Sequence, residues 1–140
     1  MLKLGHSELI TLSVGGNDVL MSRILLKCIA NLGDGTCDEA LSAGRELLYG
    51  RLLWDRYQTL IYELLKKTGW VERSVNERRS LIYHTAYPAF FDAKTTQCNG
   101  ITFNPRLGSS EPKMTQELRR KVNDFVAEVK LVHMSPSNHT

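Results

Sequence analysis

The sequence predicts an α/β fold, and three observations carry that expectation. Residues 9–14 read as a regular strand, a glycine-rich turn and helical periodicity follow it, and a second apolar strand stands at residues 81–85. A strand–loop–helix–strand order is the alternation that layers helices on a sheet. In the first strand Ile10, Leu12 and Val14 alternate with Thr11 and Ser13, a period of two with one fully apolar face. Both faces are small or apolar, which suits a strand of a parallel sheet covered on both sides.

The strand stops at Gly15-Gly16-Asn17-Asp18, where two glycines free the backbone and Asn and Asp favour a turn. A helix is expected over residues 19–30, with Leu20, Ile24 and Leu25 on one side, and residues 31–36 read as a Gly/Asp-rich loop. Residues 38–69 form the most helical region. Asp38 sits where an N-cap belongs, Leu53, Tyr57, Leu60, Ile61 and Leu64 keep the 3.6 period, and Glu63–Lys67 has favourable i,i+4 spacing. Gly50 is a candidate break into two helices, and Gly69 a natural C′ residue after Lys66 and Lys67.

Residues 74–80 are polar and basic and are expected to be exposed. Residues 86–112 hold Pro88, Pro105 and Pro112 and read as a long irregular segment. A last helix begins near Thr115, with Leu118, Val122, Phe125, Val126 and Val129 as its apolar stripe. The domain is expected to span residues 1–133, with a Ser/Pro/Asn/His tail at 134–140 that includes the formal glycosylation sequon Asn138-His139-Thr140. Two strands are fewer than a stable sheet normally needs.

Composition narrows the function. The chain of 140 residues has room for one domain, its apolar share of 42% can supply a core, and its net charge is +3. That mild basicity lacks the concentrated Lys/Arg face of a nucleic-acid binder. Arg78-Arg79 and Arg119-Arg120-Lys121 are short runs without interleaved aromatics and read as solvated faces. No stretch reaches the roughly 20 apolar residues of a membrane span, and residues 1–10 lack a secretory h-region. The three cysteines leave at least one unpaired within the chain, and the separation of Cys28 from Cys37 is outside zinc-ligand spacing. No cofactor motif or metal-ligand set is present, and oligomeric state is open.

The residues that could carry chemistry are in the turn. Ligands of open α/β sheets bind beyond the carboxyl ends of strands, where Asn17 could offer its side-chain amide to an oxyanion. Taken alone, the four residues fit a flexible turn better. Trp54, Tyr57 and Tyr62 at helical spacing read as packing residues. Phe90 and Phe91 fit core packing at least as well as the lining of a pocket.

The wider context adds a resemblance. The run Ile10-Thr11-Leu12-Ser13-Val14-Gly15-Gly16-Asn17-Asp18-Val19 resembles the third conserved block of the SGNH, or GDSL-type, hydrolases. Cys28 and Cys37-Asp38-Glu39-Ala40, then Ile82-Tyr83-His84-Thr85-Ala86-Tyr87-Pro88-Ala89-Phe90-Phe91 and Thr95-Thr96-Gln97-Cys98, resemble stretches of secreted fungal and bacterial lipase-like members. The likeness runs from Leu9 to Val129. It implies a flavodoxin-like three-layer α/β/α fold, here partial, and hydrolysis of carboxylic esters through a serine nucleophile. It further implies Asn17 as an oxyanion donor, Gly16 and Asp18 in support, no cofactor, a small-molecule or lipid ester substrate, an extracellular setting and a Cys28–Cys37 disulfide.

The family's other blocks find no counterpart. Ser7 and Ser13 have no Gly-Asp before them, and His133 and His139 follow Lys130 and Pro136 where the family has Asp three residues before its histidine. Neither a nucleophile nor a base is therefore assigned. Both histidines read as tail residues, and the expectation is an inactive central fragment of a larger domain, with the partner of Cys98 beyond it.

Overall fold

The structure, a computed structural model, describes residues 9–71, 74, 81–85 and 87–134. The elements run β1 (Leu9–Leu12), α1 (Met21–Ala30), α2 (Cys37–Leu48), α3 (Arg51–Lys67), β2 (Leu81–His84) and α4 (Gln116–Met134). The coarse α/β class holds: β1 and β2 pair in parallel, Leu9 opposite Leu81 and Leu12 opposite His84, and helices lie between them in the chain.

The sheet departs from expectation in its cover. β1 ends at Leu12, two residues early, and both strands alternate exposed and half-buried residues. One face, with Leu9, Leu81 and Tyr83, is open to solvent. The apolar content of β1 led to a doubly covered strand, but among the described residues no helix covers that face.

The core lies among the helices instead. Val19, Ile24 and Cys28 meet Leu41 and Leu48 of α2, Leu53 of α3, and Val122, Phe125, Val126 and Val129 of α4. The expected stripe of α4 is thus the centre of the molecule, with Leu118 packed at its margin. No strand residue belongs to this buried cluster. Gly44 lets α2 approach this closely, because a Cβ there would lie 2.8 Å from both Ile24 Cδ1 and Phe125 Cζ.

Helix ends follow their sequence signals with one correction. Thr36, not Asp38, caps α2: its hydroxyl accepts the Glu39 N–H, and the Glu39 carboxylate accepts the Thr36 N–H at 2.7 Å. Asp38 instead lies in the first turn, where its charge suits the helix dipole, and accepts from Lys121 at 3.0 Å. The break at Gly50 separates α2 from α3, and Gly69 stands at φ 68° beyond Thr68, its N–H donating to Lys66 O. The i,i+4 ion pair of α3 is Arg51–Asp55 at 3.8 Å, not Glu63–Lys67. Helix α1 starts at Met21, because Leu20 is left-handed at φ 58°. Helix α4 continues through His133 to Met134, so neither belongs to an irregular tail. Residues 72–73, 75–80 and 135–140, with His139, Arg78 and Arg79, lie outside the described residues.

Arg119 is the main correction to the charge reading. It is 3% exposed, and its guanidinium donates to Thr95 O and to Asn99 Oδ1 at 3.0 Å, tying the irregular segment to α4. A second arginine, Arg45 on α2, forks onto Glu128 of α4 with two contacts of 2.9 Å and lies over the Phe125 ring. The hydrogen bond to Glu128 holds the Arg45 pKa above its ordinary value.

Cys28 and Cys37 form a disulfide, with Cα atoms 4.5 Å apart, and Cys98 is a half-buried free thiol. The bridge ties α1 to the start of α2. Loop-closure entropy for so short a loop gives about 2.5 kcal/mol. Full reduction should lower the urea midpoint accordingly. An unchanged midpoint would mean that the capping box alone holds the loop.

Candidate functional site

The turn after β1 is built by its own backbone. Gly15 takes φ 99°, a value that favours glycine, and its carbonyl accepts the Val19 N–H at 3.2 Å. The Gly16 carbonyl accepts from Met21 at 3.0 Å, leading the chain into α1. Thr85 anchors the carboxyl end of β1, donating its N–H at 2.8 Å and its hydroxyl at 3.2 Å to Leu12 O. Gly15 and Gly16 are buried while Asn17 and Asp18 are exposed. Asn17 therefore stands beyond a parallel strand with its amide open to water, and no described residue hydrogen-bonds that side chain.

Two partners of this turn were not legible as such. Tyr87 puts its hydroxyl on the Gly16 N–H at 3.3 Å, and a Cβ at Gly16 would come within 3.0 Å of that oxygen. Tyr87 is in turn fixed from α4. The Asn123 side chain accepts the N–H groups of Phe90 and Phe91 at 3.0 and 3.1 Å and donates to Phe91 O at 2.7 Å. The clamp runs from the core helix to the turn through four residues of backbone.

Beside the turn lies a pocket of about 200 Å³ lined by Val14, Gly15, Asp18, Leu53, Arg56, Tyr57 and Leu60. Asp18 meets Arg56 across it at 3.5 Å, an exposed pair that orients more than it stabilises. Tyr57 packs edge-on against His84 at 5.6 Å, and burial raises its phenol pKa. Trp54 stacks on Tyr57 at 6.2 Å, and Tyr62 is exposed, so these aromatics are packing and surface residues as expected.

Elsewhere, the Asp92 carboxylate accepts from Thr95 Oγ1 at 2.7 Å and from Lys94 N–H at 2.8 Å, and these bonds hold its pKa below the ordinary aspartate value. Phe91 packs against the core, and Phe90 is 38% exposed.

Among the described residues no group of His, Cys, Asp and Glu could hold a metal ion. Ser7 lies outside those residues, and Ser13 is exposed next to the turn. No helix among them is long and apolar enough to cross a membrane. Comparisons of the chain with protein-family models, with curated proteins and with solved structures find no match.

Proposed function

We propose that this chain is the central part of an SGNH-type ester hydrolase domain, with Asn17 as an oxyanion donor that works only beside a nucleophile and base from further sequence. The observation that carries this reading is the turn itself. Asn17 stands exposed beyond the carboxyl end of a parallel strand, next to a pocket, where an α/β fold places ligands. A side-chain N–H at that point could meet the charge that develops on a carbonyl oxygen during acyl transfer. Gly16 keeps the backbone close, and Asp18 holds Arg56 at the pocket rim. The Cys28–Cys37 bridge fits an extracellular setting. The flavodoxin-like three-layer fold belongs to the same proposal: further strands at the open edges of β1 and β2 would complete such a sheet.

Hydrolysis of a short p-nitrophenyl ester tests it. The 140-residue chain alone should give no rate above buffer. A longer chain carrying an in-frame Gly-Asp-Ser block upstream and an Asp-x-x-His block downstream should hydrolyse the ester, and Asn17→Ala should cost it about 10²–10³ in kcat. An unchanged rate in that variant would sink the assignment of Asn17. A second reading, a binding module, draws on the uncovered sheet face of Leu9, Leu81 and Tyr83. It requires the 140-residue chain to be a stable monomer.

A further inference from the structure

We infer that the outer side of α1 binds a free long-chain fatty carboxylate, with the hydrocarbon in an apolar groove and the carboxylate on Arg23 and Lys27. The groove, about 310 Å³, is lined by Leu25, Leu26, Ile29, Ala30, Phe90 and Phe91, without a single charged or polar side chain. It includes no residue of the Gly15–Asp18 turn, so the inference holds whether or not the chain belongs to an ester hydrolase.

The headgroup follows from what adjoins the groove. Leu26, 50% exposed, also lines a neighbouring hollow of about 360 Å³ formed with Arg23, Lys27, Leu32, Gly33 and Asp34. That hollow carries two cations and one carboxylate. Lys27 Nζ donates to Gly33 O at 3.0 Å, which keeps the ammonium at the hollow, and neither cation forms an ion pair among the described residues. An apolar groove with a cationic end matches an anionic amphiphile of one chain. Helical spacing produces this arrangement: Arg23, Leu26, Lys27 and Ala30 fall on one side of α1, with Leu25 and Ile29 on the flank toward Phe90 and Phe91. The same Asn123 clamp that positions Tyr87 fixes the Phe90–Phe91 wall, so the groove is formed before a ligand arrives.

Calorimetric titration of the 140-residue chain with octanoate, decanoate and dodecanoate, each below its self-association concentration, tests the inference. One saturable site is expected, tightening by about fourfold per added methylene while the groove fills. Leu26→Asp should weaken dodecanoate at least tenfold. Arg23→Glu with Lys27→Glu should weaken it at least fivefold and reverse the dependence on salt, since repulsion between like charges is screened where attraction was before, far-UV circular dichroism showing both variants folded. Dodecyltrimethylammonium should bind more weakly than dodecanoate. The inference is overturned by an absence of saturable binding, by equal affinity for the cationic amphiphile, or by binding seen only with anionic vesicles. Full dodecanoate affinity in the folded double-glutamate variant overturns it equally, and that variant serves should Leu26→Asp not fold.

Discussion

Phe125→Ala is expected to lower the unfolding free energy by about 3–5 kcal/mol, the range for emptying a fully buried aromatic site. Phe125 has no exposed surface, lies against Gly44 of α2, and carries the Arg45 guanidinium 5.9 Å above its ring. Its removal opens a cavity where α1, α2 and α4 meet, and helices bridged by a disulfide and an ion-pair fork cannot simply close over it. Phe125→Leu keeps most of the volume and should cost about 1–1.5 kcal/mol. Urea unfolding followed by far-UV circular dichroism reads both. A loss below about 1 kcal/mol for the alanine variant would mean that the core is not organised on α4.

Asn123→Leu carries the second large effect, about 2–3 kcal/mol. The substitution keeps the branched four-atom shape of the side chain and improves helix propensity, so what is lost is chiefly the clamp on Phe90 and Phe91. One half-buried N–H and one carbonyl are left without their partner, and each such group costs about 1–3 kcal/mol where water cannot replace it. Asn123→Asp keeps the acceptor for both N–H groups and loses only the donor to Phe91 O, so its cost should be nearer 1 kcal/mol. Equal losses in the two variants would place the effect in α4 itself. The same unfolding measurement decides between them.

These two residues also mark the boundary of what the sequence reveals. Phe125 is legible because hydrophobic periodicity in a long amphipathic helix is a local signal, and its stripe with Val122, Val126 and Val129 became the core. The break at Gly50 and the left-handed Gly69 were legible for the same reason, being properties of one or two neighbouring residues. Asn123 was not. A polar residue on a helix looks alike in sequence whether it faces water or accepts two N–H groups from a segment 32 and 33 positions away. Arg119 was misread on the same account, since a run of Arg-Arg-Lys says nothing of carbonyls that fold over one member of it. At the candidate site, the glycine turn and the exposure of Asn17 follow from local chemistry. The Tyr87 hydroxyl on Gly16 spans 71 positions and depends on tertiary packing. The cover of β1 was misjudged because apolar composition reports what a strand could bury, not what the rest of the chain supplies.

The separation of sheet from core has a consequence for local opening. The ladder between β1 and β2 adds nothing to the buried cluster, so it can fray without disturbing α1, α2 and α4. Native-state amide exchange should therefore fall into two cooperative units, a weakly protected one holding the strands and a strongly protected one holding the helices. The Gly15–Asp18 turn is the seam between them, fastened on the helical side by the Met21 N–H and on the loop side by Tyr87. Whatever docks at that seam and binds both units joins them into a single unfolding transition, adding protection to strands that have little of their own.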